Sequence, residues 1–94
     1  MSESASANVT VLNKLGLHAR PAMLFAERAQ GHCADVRVSR VGDSETVDGK
    51  SIMHLMMLAA TKGTDLLIEA NGNDAQQAVD ALCTLVQSSF NEAD

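Results

Sequence analysis

Two kinds of hydrophobic spacing follow one another along this 94-residue chain, and their order restricts the folds it can adopt. Apolar residues at every second position are typical of a half-buried strand, whereas a spacing of three and four residues is typical of an amphipathic helix. The strand-like spacing occurs over residues 8–12, 34–40, 45–47 and 64–70. The helical spacing occurs over residues 19–30, 52–61 and 75–86. The chain therefore predicts elements in the order β-α-β-β-α-β-α.

This order predicts a two-layer architecture. Strands with alternating residues form a sheet with one apolar face, and that face must be covered. Each predicted helix has one apolar side, so all three can lie on the same face of the sheet. The predicted fold class is thus α/β (α+β), an open-faced two-layer sandwich. The length indicates a single domain over residues 1–94, with residues 1–7 and 88–94 as flexible tails.

Local signals predict where the helices begin and end. Gly31 is a typical stop after the first helix, and Ser51 is a candidate N-cap for the second. Asn73 or Asp74 is expected to cap the third helix, with a following glutamine completing a capping box. On the second helix, Leu55 and Met57 are predicted to lie in the core.

The charges and cysteines restrict the partners. The formal net charge of −5 argues against nucleic acid. No apolar stretch is long enough to cross a membrane, and residues 1–7 lack the features of a signal peptide. We therefore expect a cytoplasmic protein that contacts neither nucleic acid nor membrane. We also expect it to be a monomer. Cys33 and Cys83 have no metal-binding spacing, so free thiols are predicted and no metal or cofactor is expected.

The chemistry of the chain is concentrated around His18. Pro21, the only proline, is tolerated in a first helical turn, so the helix is predicted to begin just after His18. A helix N-terminus attracts anions such as phosphate and disfavours imidazolium, so we expect a neutral, nucleophilic His18. Arg20 can donate two hydrogen bonds to phosphate oxygens. The pattern predicts a histidine that accepts a phosphoryl group, and the alternative is a surface histidine near a helix start.

Two motifs resemble those of a known family. The stretch Gly16-Leu17-His18-Ala19-Arg20-Pro21-Ala22 resembles the phosphohistidine signature of HPr, the histidine-containing phosphocarrier of the phosphoenolpyruvate:sugar phosphotransferase system. The stretch Val47-Asp48-Gly49-Lys50-Ser51-Ile52-Met53 resembles the second signature of that family, around its regulatory serine. The resemblance extends from about Val9 to Val86.

The resemblance implies both a fold and a function. HPr-like proteins have a four-stranded antiparallel sheet in the order 1-4-2-3 with three helices on one face. The histidine that aligns with His18 receives a phosphoryl group on Nδ1 from phosphorylated enzyme I, which is charged by phosphoenolpyruvate. It passes the group to IIA domains of sugar permeases or to regulators. Such a protein is a carrier and not an enzyme, because it turns over no free substrate.

The resemblance also implies roles for other residues. Arg20 and the backbone N–H groups from Ala19 onward would stabilise the phosphoryl oxygens, and Gly16 would let the loop before His18 move. Ser51 aligns with the serine that HPr kinase/phosphorylase modifies with ATP. The apolar rim presented to enzyme I and IIA aligns with Met23, Ile52, Met53 and Met56. Of these, Met56 is expected to be at least half-buried and Met23 and Met53 to be exposed.

Three alternatives to sugar transport remain open at this point. The protein could belong to a regulatory branch, in which it phosphorylates or binds regulators without a sugar permease. It could be an enzyme with a phosphohistidine intermediate, such as a phosphatase, but Lys14 and Arg20 are the only charged residues between positions 4 and 26 and neither activates water. It could also be a small-ligand-binding module, which would need an apolar pocket. His32 and His54 are interpreted as solvated side chains.

Overall fold

The computed structural model describes residues 3–91 and contains the elements in the predicted order. The strands are β1 (Ser4–Thr10), β2 (Asp35–Arg40), β3 (Val47–Asp48) and β4 (Asp65–Asn71). The helices are α1 (Ala19–Gln30), α2 (Ile52–Met57) and α3 (Ala75–Gln87), and a short 3-10 turn follows at Ser89–Asn91.

The strands form one antiparallel sheet in the order β1-β4-β2-β3, as the resemblance implied. The central strand β4 sets the register of its two neighbours. Ile68 lies opposite Ala7 of β1 and Val38 of β2, and Ala70 lies opposite Ala5 and Val36. Because side chains alternate across a strand, these pairs direct one continuous apolar row toward the helices.

The predicted apolar sides of the helices form the core. Ala22, Phe25, Ala26 and Ala29 of α1 are fully buried. The predicted stripe of α3 is buried as well, over Ala75, Ala78, Val79, Leu82, Leu85 and Val86. With two aromatic side chains in the chain, aliphatic residues supply most of the packing. The open-faced two-layer sandwich is therefore confirmed.

Both predicted tails are shorter than expected. Strand β1 begins at Ser4, because Ser4 to Ala7 pair with β4 between Ile68 and Asn71. The residues in this part of the strand are small, so their hydrophobic alternation is too weak to predict a strand. At the other end Phe90 is only 2% exposed, so the 3-10 turn packs against the core. Residues 1, 2 and 92–94 of the predicted tails lie outside the described residues.

The second helix is shorter than its spacing predicts. Helix α2 ends at Met57 instead of at residue 61, because Ala59 adopts a left-handed conformation with φ 52°. The chain then turns away to lie beside the segment before His18, where the Ala60 carbonyl accepts the Leu17 N–H at 2.9 Å. As a result Met57 is 75% exposed, so its assignment to the core was wrong, whereas Leu55 is fully buried as predicted.

The predicted capping box of α3 is also wrong. Asp74 is the N-cap residue, but its side chain makes no cap bond to its own helix. Its carboxylate instead accepts the N–H groups of Cys33 at 2.9 Å and Ala34 at 2.8 Å. These hydrogen bonds lower the pKa of Asp74 and connect the start of α3 to the loop after α1. Strand β3 is likewise shifted, from the predicted 45–47 to Val47–Asp48.

The described residues 3–91 were also searched for membrane-spanning helices, cysteine pairs and clusters of metal-ligating side chains. No helix in this range has the length and apolar character needed to span a bilayer.

Cys33 is exposed and Cys83 is half-buried, and both are free thiols. Burial raises the pKa of the Cys83 thiol, and the nearby Asp80 carboxylate adds to the effect. The same range contains no cluster of three metal-ligating side chains.

Candidate functional site

His18 is the N-cap residue of α1, as the sequence predicts. Its backbone is extended (φ −78°, ψ −173°), and its carbonyl accepts the first helical N–H, from Ala22, at 3.0 Å. The side chain makes no cap bond to the helix. Helical geometry provides no acceptor for the N–H groups of Ala19 and Arg20, and Pro21 has no N–H. Helix α1 therefore begins with two donors that an anion can bind.

One of the two ring nitrogens of His18 is buried. The residue is half-buried, and Nε2 is an atom that the fold shields from solvent. A reactant that arrives from solvent therefore does not reach Nε2 unless the fold moves. The sequence alone does not show this burial. Arg20, which lies two residues further on, is exposed.

The loop before His18 is held against a second segment of the chain. Gly16 has a φ of +68°, and a Cβ at this position would lie 2.8 Å from the Thr61 Cα and would also meet the Ala60 carbonyl. Leu17 donates its N–H to that same carbonyl at 2.9 Å. Glycine is therefore required here by a left-handed conformation and a close backbone approach. This is a different reason from the loop mobility expected from the sequence.

An exposed apolar surface extends along α1 and α2. Three of the predicted rim residues are 38–44% exposed, namely Met23, Ile52 and Met56, and Met53 is 75% exposed. These values agree with the expected exposure of Met23 and Met53 and the half-burial of Met56. Two residues that sequence reasoning did not assign to this surface are exposed as well, Leu15 at 69% and Met57 at 75%. Leu15 could have been noticed, because it is a large apolar residue in a loop and belongs to no periodic pattern.

Ser51 begins α2, as predicted. It is the N-cap residue, and its Oγ accepts the His54 N–H at 3.2 Å. The adjacent Lys50 joins this end of α2 to the end of α1, because Nζ donates to the His32 carbonyl at 2.8 Å and the Lys50 carbonyl accepts from Gln30 at 2.9 Å. Ser51 is half-buried in this arrangement.

A broad depression of about 640 Å³ lies elsewhere, on the strands. It is lined mainly by polar and charged residues, with Arg37 between Asp35 and Glu69, and it includes none of the residues around His18. This depression does not have the apolar lining that a small-ligand pocket would need.

The comparisons with known proteins decide the family. A family model described as "PTS HPr component phosphorylation site" matches residues 5–88. The phosphocarrier protein HPr of Pseudomonas aeruginosa is 46% identical over 86 residues, which cover 92% of this chain and 94% of that protein. This protein belongs to the HPr family.

Other relatives extend the comparison. The Escherichia coli phosphocarrier protein NPr is 38% identical over 89% of this chain and 92% of its own. A crystal structure of HPr from Thermoanaerobacter tengcongensis superposes with a TM-score of 0.89 at 36% identity and covers 96% of this chain and 99% of that one. A structure described as an HPr dimer from the same organism has a TM-score of 0.74 at 38% identity, covering 89% and 94%. The monomeric state expected from the sequence remains a prediction.

Family membership establishes the general role. The protein is an HPr phosphocarrier of the phosphotransferase system, and the partners of this family include enzyme I and IIA components.

Proposed function

We propose that the Nδ1 atom of His18 accepts a phosphoryl group from phosphorylated enzyme I and passes it to a IIA domain of a sugar permease. The observation that carries this proposal is the start of α1, where His18 adjoins two N–H groups without helical acceptors. The shielding of Nε2 supports Nδ1 as the reacting nitrogen.

The transfer is a displacement at phosphorus. The lone pair of a neutral His18 imidazole attacks the phosphorus atom of the donor phosphohistidine, the new N–P bond forms, and the bond to the donor imidazole breaks in line with it. The transferred group carries its charge on three oxygens. Two of them can accept the N–H groups of Ala19 and Arg20, and the Arg20 guanidinium can bind the third. Transfer to IIA repeats these steps with His18 as the leaving imidazole.

The same proposal assigns the partner surface. Met23, Ile52, Met53 and Met56 form an exposed apolar surface on α1 and α2, the two helices whose N-termini carry His18 and Ser51. We add two exposed residues: Met57, which lies on α2, and Leu15, which lies in the loop three residues before His18. Methionine side chains are flexible and polarizable, so one surface can fit differently shaped partners. This suits a carrier that must bind its donor and its acceptors in turn.

Phosphorylation in vitro tests the acceptor. The protein is incubated with phosphoenolpyruvate and the cognate enzyme I, and its mass is measured. We expect one acid-labile phosphate in the wild type and in the matched controls His32→Ala and His54→Ala, and none in His18→Ala. A phosphate that persists in His18→Ala, or a wild type that remains unmodified, would contradict the assignment.

We further propose that Ser51 is a regulatory phosphorylation site for HPr kinase/phosphorylase. A phosphate carries a charge of about −2 at neutral pH and is favoured electrostatically at a helix N-terminus, so the fold can accept it. The charge would lie beside the apolar surface and weaken binding to partners with acidic surfaces. With ATP and the cognate kinase we expect one acid-stable phosphate, which is absent in Ser51→Ala. Failure to form this product would remove the proposal for Ser51 and leave His18 unaffected.

A second candidate is a regulatory branch without sugar transport, in which the acceptors are regulators, including transcriptional regulators. This protein is also similar to NPr, a phosphocarrier that is named separately from HPr. This similarity supports the second candidate. The host genome distinguishes the two: IIB and IIC permease components support sugar transport, and their absence supports regulation. In either branch we propose that the protein acts as a cytoplasmic monomer over residues 1–94, which size-exclusion chromatography and cell fractionation can check.

A further inference from the structure

Asn13 has a polar side chain and no solvent-accessible surface. Among residues 3–91 only one other polar residue, Ser39, is classed as buried. A polar side chain that loses its hydration must recover the loss through hydrogen bonds. Neither the hydrophobic spacing of the chain nor the His18 motif explains an amide at this position. Its contacts therefore indicate its role.

The Asn13 side chain closes the turn that leads to His18. Its Nδ2 donates to the Gly16 carbonyl at 2.7 Å, and the Gly16 N–H donates to the Asn13 carbonyl at 3.2 Å. The turn is thus held by a side-chain bond and a backbone bond that run in opposite directions. It ends at Gly16, which has a left-handed conformation.

The peptide unit between Gly16 and Leu17 is held at both ends. Its carbonyl accepts from Asn13 at 2.7 Å, and its N–H donates to the Ala60 carbonyl at 2.9 Å. A rotation of this unit would break both bonds. Glycine is the residue at which the backbone hinders such a rotation least. Without the Asn13 amide, only the bond to Ala60 would oppose a rotation of the Gly16–Leu17 peptide unit.

The segment that provides Ala60 is itself fixed to the sequence before Asn13. Val11 donates its N–H to the Thr64 carbonyl at 2.9 Å, and Gly63 donates to the Val11 carbonyl at 2.8 Å. The two segments therefore lie side by side from Val11 to Leu17. Because Leu17 directly precedes His18, the orientation of its peptide unit determines how the chain enters α1.

We propose that Asn13 is a positioning residue for phosphoryl transfer: its amide fixes the Gly16–Leu17 peptide unit and thereby places His18 against the first N–H groups of α1. The proposal rests on the assignment of His18 as the phosphoryl acceptor. Small errors of position are costly in group transfer, since a displacement of about 1 Å can slow a reaction by about 100-fold.

The test compares Asn13→Ala with Ser39→Ala, which removes the other buried polar side chain from a strand outside the two segments. We measure the rate constant for phosphate uptake from phosphorylated enzyme I at a temperature at which both variants are folded. We expect Asn13→Ala to be slower than Ser39→Ala by at least about tenfold. If Asn13→Ala does not fold, Asn13→Ser is compared with Ser39→Ala by the same criterion.

A second measurement reads the peptide unit directly and needs no enzyme I. In unphosphorylated Asn13→Ala, we expect the Leu17 amide to exchange its hydrogen at least about tenfold faster than the rate expected for exchange through global unfolding alone. The same amide in Ser39→Ala should exchange at the wild-type rate after correction for stability. The ring nitrogen chemical shifts of His18 should change only in the Asn13 variant.

The outcomes separate the two proposals. Equal uptake rates in the two variants would overturn the role of Asn13, and so would a slower uptake with an unchanged Leu17 amide. If wild type and Ser39→Ala both fail to accept phosphate, the proposed function fails. The Leu17 exchange and the His18 chemical shifts then decide whether Asn13 positions His18.

Discussion

Helices α1 and α2 begin in opposite ways, although each has a polar N-cap residue in an extended conformation. In α2 the Ser51 hydroxyl accepts the N–H of His54, three residues further on. In α1 the corresponding position is Pro21, which has no N–H to donate, and the His18 side chain makes no cap bond. The two helix starts therefore differ at the third residue: in α2 its N–H is satisfied by the serine cap, and in α1 proline removes that N–H.

This difference shows how the chain separates stability from function. A capped N-terminus stabilises a short helix such as α2, which has six residues. Helix α1 has twelve residues and a fully buried apolar side, so it does not depend on a cap. The longer helix can dispense with a cap bond at its third residue, and the proposed phosphoryl site lies at this helix start.

The largest effect is expected when α1 is made to begin as α2 does. The double variant His18→Ser/Pro21→Ala gives α1 a serine N-cap and an N–H three residues later. We expect it to take up no phosphate. Its free energy of unfolding should exceed that of His18→Ala/Pro21→Ala by about 1 kcal/mol, the usual effect of a serine cap. Mass spectrometry and urea titration give the two quantities, and equal stabilities would contradict the cap argument.

The next effect concerns Arg20, the charged donor at the open helix start. Arg20→Ala should slow phosphate uptake by about 100-fold, since a donor aimed at a developing charge has this typical effect. Its stability should change by less than about 0.5 kcal/mol, because the residue is exposed. Arg28→Ala, an exposed arginine in the last turn of the same helix, is the matched control and should keep the wild-type rate. Equal rates in the two variants would remove Arg20 from the site.

The two helices also end differently, and this predicts a gain in stability. Gly31 caps α1 with an ordinary negative φ, whereas α2 is followed by Ala59 in a left-handed conformation that glycine adopts more easily. Ala59→Gly should raise the free energy of unfolding by about 1 kcal/mol. Ala60→Gly is the control, because Ala60 is buried and is not among the positive-φ residues of the described chain; it should lower stability. A loss of stability in Ala59→Gly would contradict this conformational argument.

The smallest effect concerns the third helix start, where the side chain of the N-cap residue Asp74 bonds to the loop after α1 and not to its own helix. Backbone N–H groups lower its pKa from the ordinary value of 3.8, the Cys33 N–H most of all. A lowered pKa means that this carboxylate stabilises the fold above pH 3.8 and that the contribution is lost as the pH falls through the folded value. The stability difference between wild type and Asp74→Asn should therefore shrink below about pH 3.8. A difference that stays constant in urea titrations from pH 6 to pH 3 would exclude this linkage.

Much of the fold could be predicted from periodicity, because burial of an apolar side needs only the spacing of the residues. The apolar sides of α1 and α3 followed from the helical spacing over residues 19–30 and 75–86, and the fold class followed from the order of the elements. The errors occurred where long-range contacts decide the structure. Ser4 joins β1 because β4 offers it a partner, and Phe90 packs although it follows a polar stretch.

The candidate site likewise contains residues that local sequence signals point to and residues that only tertiary contacts place. His18, Arg20 and Ser51 were proposed from the sequence, since a histidine before a proline-containing helix start and a serine N-cap are local features. Met57 was placed in the core because its spacing suited a longer helix, and Asn13 was not assigned at all. The error at Met57 comes from the turn at residues 58–60, which depends on the packing of that segment against the His18 loop. The burial of Asn13 depends on the tertiary packing of that loop.

The sequence by itself determined the order of the elements and the apolar sides of two helices, and it was enough to propose His18 as the phosphoryl acceptor. These depend on neighbours within a few positions along the chain. Only the tertiary structure decided where α2 ends, which nitrogen of His18 is shielded and why an asparagine is buried beside Gly16. The end of α2 depends on contacts between segments more than forty positions apart, such as Leu17 with Ala60. The burial of Asn13 and of Nε2 depends on how the whole chain packs, and no local pattern encodes it.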